Sequence, residues 1–472
     1  MKVLLVASEA APYAKTGGLA DVIGALPSAL NKLGADARVI LPYYKKIKDK
    51  KIADYIGYAY VRIASRMEYV GVFHTKHDGV DYYFIDNDRY FYRDGFYGFG
   101  DDGERFAFFD FAVLEAIKVM DFYPDIIHCN DWQTGLIPYI IKANYYSHYE
   151  YNRIKTVYSI HNIQYQGIFP MDIMQILFMP YSQSLEFDGC INFMKTAIME
   201  SNAITTVSPT YKGEVLTDAY GYKLNNILGL RYFDFYGIIN GIDVEKYDPE
   251  KDKFIYKNYS VKNVITGKKE NKKLLLKEFG LDSSQDVPLF GLVSRLVDQK
   301  GIDLLMPIID DVIQYSNAKF ILMGSGDKYY EDFFKNMEAK YPDRIKCYIG
   351  YSDPIAQKIY AGSDIFLMPS KFEPCGLGQL IAMRYGTLPL VRETGGLKDT
   401  VEPYNKYDQT GTGFSFTNFN AYDLKEVMFL AINTYNNEKD AWKKLMNQAM
   451  KQDYSWNNSA LVYIDLFNKL LK

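Results

Sequence analysis

The chain has 472 residues, 48% hydrophobic and 24% charged, the balance of a soluble globular protein too long for one ordinary core. Its net charge of −4 gives no basis for nucleic-acid binding, and no apolar stretch approaches the ~18 residues of a membrane span. Four dispersed cysteines, with no Cys-x-x-Cys, form neither a disulfide framework nor a zinc site and suit a reducing cytoplasm.

From the N-terminus, Met1–Ala7 turns polar at Ser8-Glu9 and reads as a first β-strand rather than a signal peptide. Lys15-Thr16-Gly17-Gly18-Leu19-Ala20-Asp21 follows, with a turn at Pro12 before it and a helix from near Leu19. Gly17 and Gly18 allow close approach to the backbone. The helix start and Lys15 favour an anion, with a surface lysine beside a structural turn as the plain alternative. Further strands are expected at 37–41, 125–128, 155–160 and 203–207, with a hairpin of 69–77 and 80–85 about Asp78-Gly79.

Several motifs in this half are decoys. Gly98-Phe99-Gly100-Asp101-Asp102-Gly103 spells a dinucleotide fingerprint, but no strand runs into it and two aspartates would repel a pyrophosphate. Asp86-Asn87-Asp88 reads as a solvated turn. His74-x-x-His77 lies on a strand, where residues three apart face opposite sides. No nucleophile elbow and no phosphate loop ending in Gly-Lys-Ser/Thr is present.

His161-Asn162 ends the strand at 155–160, and Asn240-Gly241 stands at the expected domain crossover. The second half restarts the α/β scheme with strands at 288–293, 319–323, 344–349, 364–368 and 388–391. The expected architecture is α/β, two Rossmann-like domains facing a deep cleft. They span 1–243 and 244–453, and a helix over 454–472, with Ser455 as N-cap, returns to the first domain. Ligands of such sheets bind past the carboxyl ends of the strands. Arg295 and Lys300 stand in one such loop, two cations suited to a diphosphate leaving group, with a salt-bridged loop as the alternative. Gly324-Ser325-Gly326-Asp327 lacks the third glycine of a nicotinamide fingerprint. Glu373-Pro374-Cys375-Gly376-Leu377-Gly378 places a carboxylate among residues that suit backbone contacts to a ligand. That carboxylate could be a nucleophile, a base or an acceptor of sugar hydroxyls.

In order, Lys15–Val22, Asp131-Trp132-Gln133-Thr134-Gly135, 161–167, Asn240-Gly241-Ile242-Asp243, Ser294-Arg295-Leu296, 373–377 and 394–400 resemble bacterial glycogen synthase and plant starch synthase. The resemblance covers almost the whole chain. It implies a retaining glycosyltransferase of the two-Rossmann-domain type, moving glucose from ADP-glucose to the non-reducing-end 4-hydroxyl of an α-1,4-glucan, without metal or other cofactor. Lys15, Arg295 and Lys300 would meet the donor phosphates, with Gly17 and Gly18 beside them. Asp21, Asn240 and Glu373 would hold glucosyl hydroxyls. His161, with Asn162, would lie near the anomeric carbon, Tyr351 would stack on adenine, and Gly376 and Leu377 beside Cys375 would lend N–H groups. Asp131 and Trp132 would lie near the acceptor. Related transferases carry a second glutamate eight positions past the first, where this chain has Ile381. Use of UDP-glucose and a catalytically silent glucan-binding protein are the alternatives, with a nicotinamide oxidoreductase behind them.

Overall fold

The computed structural model describes residues 1–177 and 179–472. The chain divides into two compact units, Met1–Gly241 with Trp456–Lys472, and Ile242–Ser455.

The first unit is built on a nine-stranded sheet. In spatial order its strands are Phe235–Gly237, Ala203–Thr206, Lys155–Ile160, Ile126–Asn130, Lys2–Val6, Asp36–Pro42, Val80–Asp86, Arg66–His77 and Asp54–Ile63. Pairing is parallel as far as Val80–Asp86 and antiparallel across the last two strands. Val3 to Val6 are fully buried, as expected of a strand covered on both faces. Lys2–Val6 lies between Asp36–Pro42 and Ile126–Asn130, so the strand order reverses there. Loops leaving this switch point are where doubly wound sheets bind ligands. Helix Gly18–Lys32 buries Leu19, Val22, Ile23, Leu26 and Leu30 at helical spacing, and helix Trp456–Leu471 packs beside it.

The six strands of the second unit are all parallel, in the order Ile345–Ile349, Lys319–Gly324, Leu289–Val293, Ile365–Met368, Leu388–Arg392 and Phe414–Phe416. Leu289–Val293 again marks a reversal of order. Gly291 sits in this central strand because helix Asp353–Gly362 presses on it. A Cβ there would stand 2.3 Å from Ser363 Oγ. Helix Val264–Glu278 rises out of a stretch that reads as polar, because it buries two lysines. Lys272 Nζ meets Asp364 and Asp286 at 2.8 Å. Lys268 donates to the Ala361 carbonyl at 2.9 Å and to Thr387 Oγ1 at 2.6 Å, and burial pushes its ammonium down to about 7.

Several features depart from the sequence reading. Strand Asp54–Ile63 extends the expected hairpin to three strands. Its outward residues Tyr58 and Tyr60 are exposed, so the apolar-inward alternation is blurred. A small antiparallel sheet joins Ile168–Pro170, Cys190–Asn192 and Glu186–Phe187, strands too short to carry a periodic signal. Asp86-Asn87-Asp88 is not a solvated turn. Asp86 ends a strand, is 8% exposed and bonds Lys48 Nζ at 2.7 Å, while burial pushes its carboxyl up. Asp88 opens a helical turn. In the false fingerprint, the Asp102 carboxylate accepts from the Gly98 and Phe99 N–H groups and opens helix Asp102–Val119. His74 and His77 pair separately, with Asp81 at 2.8 Å and Asp78 at 3.3 Å.

Candidate active site

The loop after Lys2–Val6 is organised by a residue that no motif singles out. Glu9 is 4% exposed. It accepts from the Thr16 N–H, from Thr16 Oγ1 at 2.6 Å, from the Gly17 N–H at 3.4 Å and from Tyr97 Oη at 2.7 Å. The Thr16 and Gly17 N–H groups, just ahead of the helix, are therefore occupied by a carboxylate. The helix starts at Gly18 without a side-chain cap, and nothing lies within 4 Å of a Cβ built on Gly17 or Gly18. The N–H groups that could face an anion are thus those of the first helical turn. Lys15 Nζ and Asp21 Oδ1 are 2.6 Å apart and about two-fifths and one-third exposed, a surface pair that a ligand can divide at little cost.

At the neighbouring strand ends, Asp131 adopts φ 56°, a left-handed conformation uncommon outside glycine. Its Oδ1 thereby receives the His161 N–H at 2.8 Å. Desolvation pushes its carboxyl up to about 7, opposed by the His161 and Asn162 N–H groups and reinforced by Glu9. His161 Nε2 lies 2.9 Å from Asn130 Oδ1, and Asn130 Nδ2 donates to the carbonyls of Val6 at 3.1 Å and His128 at 3.0 Å. Desolvation lowers His161 to about 4, so the imidazole is neutral at pH 7. Trp132 packs edge-on to Phe106 at 5.1 Å and beside Phe169 at 5.5 Å. Asn162 Oδ1 accepts from the Gln164 N–H at 3.0 Å. Asn240 is 6% exposed, and its Oδ1 has no hydrogen-bond partner among the described residues.

In the second unit, Lys300 Nζ lies 2.6 Å from Glu373 Oε2, and Ser370 Oγ donates to the same oxygen at 3.0 Å. Glu373 is 7% exposed. The loop is held from below by Arg392, whose Nε donates to the Ser370 carbonyl at 2.9 Å and whose Nη2 donates to that of Lys371. Gln299 Nε2 donates to the Phe372 carbonyl at 3.2 Å. Arg295 is exposed, with Gln299 Oε1 3.4 Å from its Nη2. Tyr351, 63% exposed, follows strand Ile345–Ile349 and donates to Asp353 Oδ1 at 2.5 Å.

The two glycine-rich motifs of this half form one structure. A Cβ on Gly395 would stand 2.0 Å from the Glu373 carbonyl oxygen, and one on Gly396 2.2 Å from that of Cys375. The Gly396 N–H donates to the carbonyls of Glu373 and Pro374 at 3.2 and 3.1 Å. The Thr-Gly-Gly segment thus lets its helix seat directly against the loop bearing Glu373, with Cys375 buried and Gly376 left-handed at φ 73°. Leu377 precedes helix Gly378–Arg384, on which Ile381 faces the core at 6% exposure.

Gly301, at φ 69°, turns the chain between Lys300 and the next helix, and a Cβ there would stand 1.9 Å from the Pro369 carbonyl oxygen. Gly301→Ala should cost about 2 kcal/mol or more, read as a lower melting temperature. It should also lower kcat/KM, because the displaced backbone carries Lys300 away from Glu373.

The chain matches the family model of the starch synthase catalytic domain over residues 2–229 and that of glycosyl transferases group 1 over 275–444. It is 49% identical over 475 residues to the glycogen synthase of Acholeplasma laidlawii (strain PG-8A), covering 100% of this chain and 99% of that one. The chain belongs to the glycogen and starch synthase family. It is a glycosyltransferase with the two-domain α/β fold of that family. Glycogen synthase of Clostridium perfringens (strain 13 / Type A) is 50% identical over 479 residues, at 100% and 99% coverage. Among solved structures, the catalytic domain of starch synthase IV from Arabidopsis thaliana, bound to ADP and acarbose, matches with TM-score 0.91 at 32% identity, covering 99% of both chains. Among the described residues, no helix is long and apolar enough to cross a membrane.

Proposed function

We propose that the enzyme transfers glucose from ADP-glucose to the non-reducing-end 4-hydroxyl of an α-1,4-glucan with retention of configuration, by front-face substitution. The observation that carries this reading is the Lys300–Glu373 pair at 2.6 Å, at the end of the sheet where the strand order reverses. It fixes a cation for the leaving diphosphate and a carboxylate whose remaining lone pairs suit sugar hydroxyls. Residues 1–243 then form the acceptor side, 244–453 the donor side, and 454–472 the returning helix. Lys15, Arg295 and Lys300 neutralise the diphosphate as the sugar–oxygen bond breaks, and Gly17 and Gly18 admit its oxygens. Asp21, Asn240 and Glu373 hold the glucosyl hydroxyls. The unpaired Asn240 Oδ1 supports its part.

The departing phosphate oxygen takes the proton of the incoming 4-hydroxyl. The carbonyl of His161, with Asn162, stabilises the positive charge at the anomeric carbon. Tyr351 stacks on the adenine, and Gly376 and Leu377 donate N–H groups beside Cys375. Asp131 and Trp132 border the acceptor. Asp131 is turned onto a backbone N–H and Glu373 onto Lys300, which supports a mechanism without a carboxylate nucleophile. The four cysteines are free thiols, which suits a cytoplasmic enzyme.

Transfer of labelled glucose to glycogen, measured in parallel from ADP-glucose and UDP-glucose, tests the donor. We expect kcat/KM about tenfold or more higher for ADP-glucose, a difference that base-pocket contacts can supply. Preference for UDP-glucose would overturn the assignment of Tyr351. A trapped glucosyl ester on Glu373, found by mass spectrometry with a slow fluorinated donor, would refute the front-face mechanism.

A further inference from the structure

The Lys15–Gly18 loop joins a lysine, two glycines and the start of a helix, a segment that draws any anion. The sugar nucleotide is only one of the anions it meets. The transfer proposed above releases ADP, which above about pH 7 carries one more negative charge than its glucosyl ester. Attraction alone would therefore hold the product more tightly than the substrate.

Glu9 opposes that outcome in two ways. Its Oε1 accepts from Thr16 Oγ1 at 2.6 Å and from Tyr97 Oη at 2.7 Å, and its Oε2 accepts from the Thr16 and Gly17 N–H groups. The backbone N–H groups just past Lys15 are thus filled from inside the protein, and an incoming phosphate finds them taken. The charge of Glu9 is also left without a local counterion. All four of these donors are uncharged groups, and Lys15 is paired with Asp21 at 2.6 Å instead. At 4% exposure the carboxylate is little screened by solvent. Its field reaches Asp131, at the end of a different strand, whose carboxyl it helps to raise. The loops at this end of the sheet carry Lys15 against Glu9, Asp21 and Asp131, so they do not form a trap for phosphate charge. Tyr97 secures the arrangement. Its hydroxyl also meets Ser8 Oγ at 2.7 Å, so the carboxylate is anchored from the segment before helix Asp102–Val119 as well as from its own loop.

We propose that Glu9 is a specificity-determining residue, an internal anion that turns the Lys15–Gly18 loop against ligands carrying more phosphate charge than ADP-glucose. The proposal rests on the reading that the donor phosphates meet Lys15, Gly17 and Gly18. Its effect is to favour release of ADP and to weaken competition by free phosphates, while the glucosyl ester still binds.

Glu9→Gln separates charge from shape. An amide oxygen in place of Oε2 keeps both N–H bonds. An amide nitrogen in place of Oε1 donates to the two hydroxyls, which can turn to accept. Glu9→Ala removes the charge and frees both N–H groups. Titration calorimetry of the full chain with ADP at about pH 8, without glucan, should give a dissociation constant about tenfold lower in Glu9→Gln, the scale of one unit charge in a partly buried site. Inorganic pyrophosphate should become a better competitor of ADP-glucose by a similar factor. KM for ADP-glucose should change less than the ADP constant. Glu9→Ala should shift in the same direction, so the sign survives any loss of loop order. A residue that only shaped the loop would instead weaken ADP binding in both variants. Lys15→Ala, measured beside them, should weaken it. Unchanged or weaker ADP binding in both Glu9 variants overturns the proposal, and so does an equal fall in KM for ADP-glucose, which would make the effect unselective. Unchanged ADP binding in Lys15→Ala overturns the donor-phosphate reading, and the proposal with it.

Discussion

Arg295→Ala should lower kcat/KM by about 10²–10³, equivalent to about 2–4 kcal/mol of transition-state stabilisation, and leave the melting temperature unchanged. Arg295 is exposed, and its contact with Gln299 at 3.4 Å contributes little to the fold. On the proposed mechanism its charge acts as the diphosphate leaves. Lys300→Ala should lose as much activity and also stability, because Glu373 at 7% exposure would keep, among the described residues, the Ser370 hydroxyl as its side-chain partner. Removing one partner of a buried ion pair costs about 3 kcal/mol or more. The double variant Lys300→Met/Glu373→Gln should recover the melting temperature without recovering activity. Lys15→Ala should resemble Arg295→Ala, since its pair with Asp21 is surface-exposed. Near-normal turnover in both Arg295→Ala and Lys15→Ala refutes their assigned work on the donor.

The central strands are legible because most are short runs rich in apolar and β-branched residues, ending in polar or glycine residues. Lys2–Val6 and Lys155–Ile160 fall where their composition places them, and neighbouring strands differ by a residue or two at the ends. Arg295, Lys300, Glu373 and His161 are legible as candidates because they stand just past such strands, and the ordered motifs identify the family. The residues that position them are not. Glu9 looks like any polar residue after a strand, yet only the folded loop brings Thr16 and Gly17 to its carboxylate. Ser370 and Arg392 act across chain segments that only the sheet brings together. The Thr394–Gly396 motif reads as a second ligand-binding element. The structure gives its glycines a steric reason, the close approach of one backbone to another. Helix Val264–Glu278 is hidden because its lysines carry the packing. Lys268 and Lys272 reach buried carbonyls and carboxylates that no local pattern reveals.

Asn130→Ala should lower kcat by about 10²-fold with little change in donor KM, the effect of a misplaced reacting group. Asn130 is fully buried, and its two donated bonds to the Val6 and His128 carbonyls fix its amide. Its Oδ1 therefore faces His161 as an acceptor. His161 must then carry its proton on Nε2, which leaves the Nδ1 lone pair to accept from a sugar hydroxyl. Asp131 holds the same residue through the backbone, so the ring and the carbonyl of His161 are set by two different neighbours. The direction of the pKa shift agrees with this role. Burial lowers His161 to about 4, so falling pH leaves the ring neutral until about pH 4, where charging removes the acceptor. In protein labelled with ¹⁵N at its five histidines, the His161 signals should report the Nε2–H tautomer at pH 7 and stay flat from about pH 8 to about pH 5. Asn130→Ala should mix the tautomers and move the midpoint towards the ordinary value as water enters. A merely structural Asn130 would lower the melting temperature without altering the tautomer. An Nδ1–H tautomer in the wild type would refute the assignment outright.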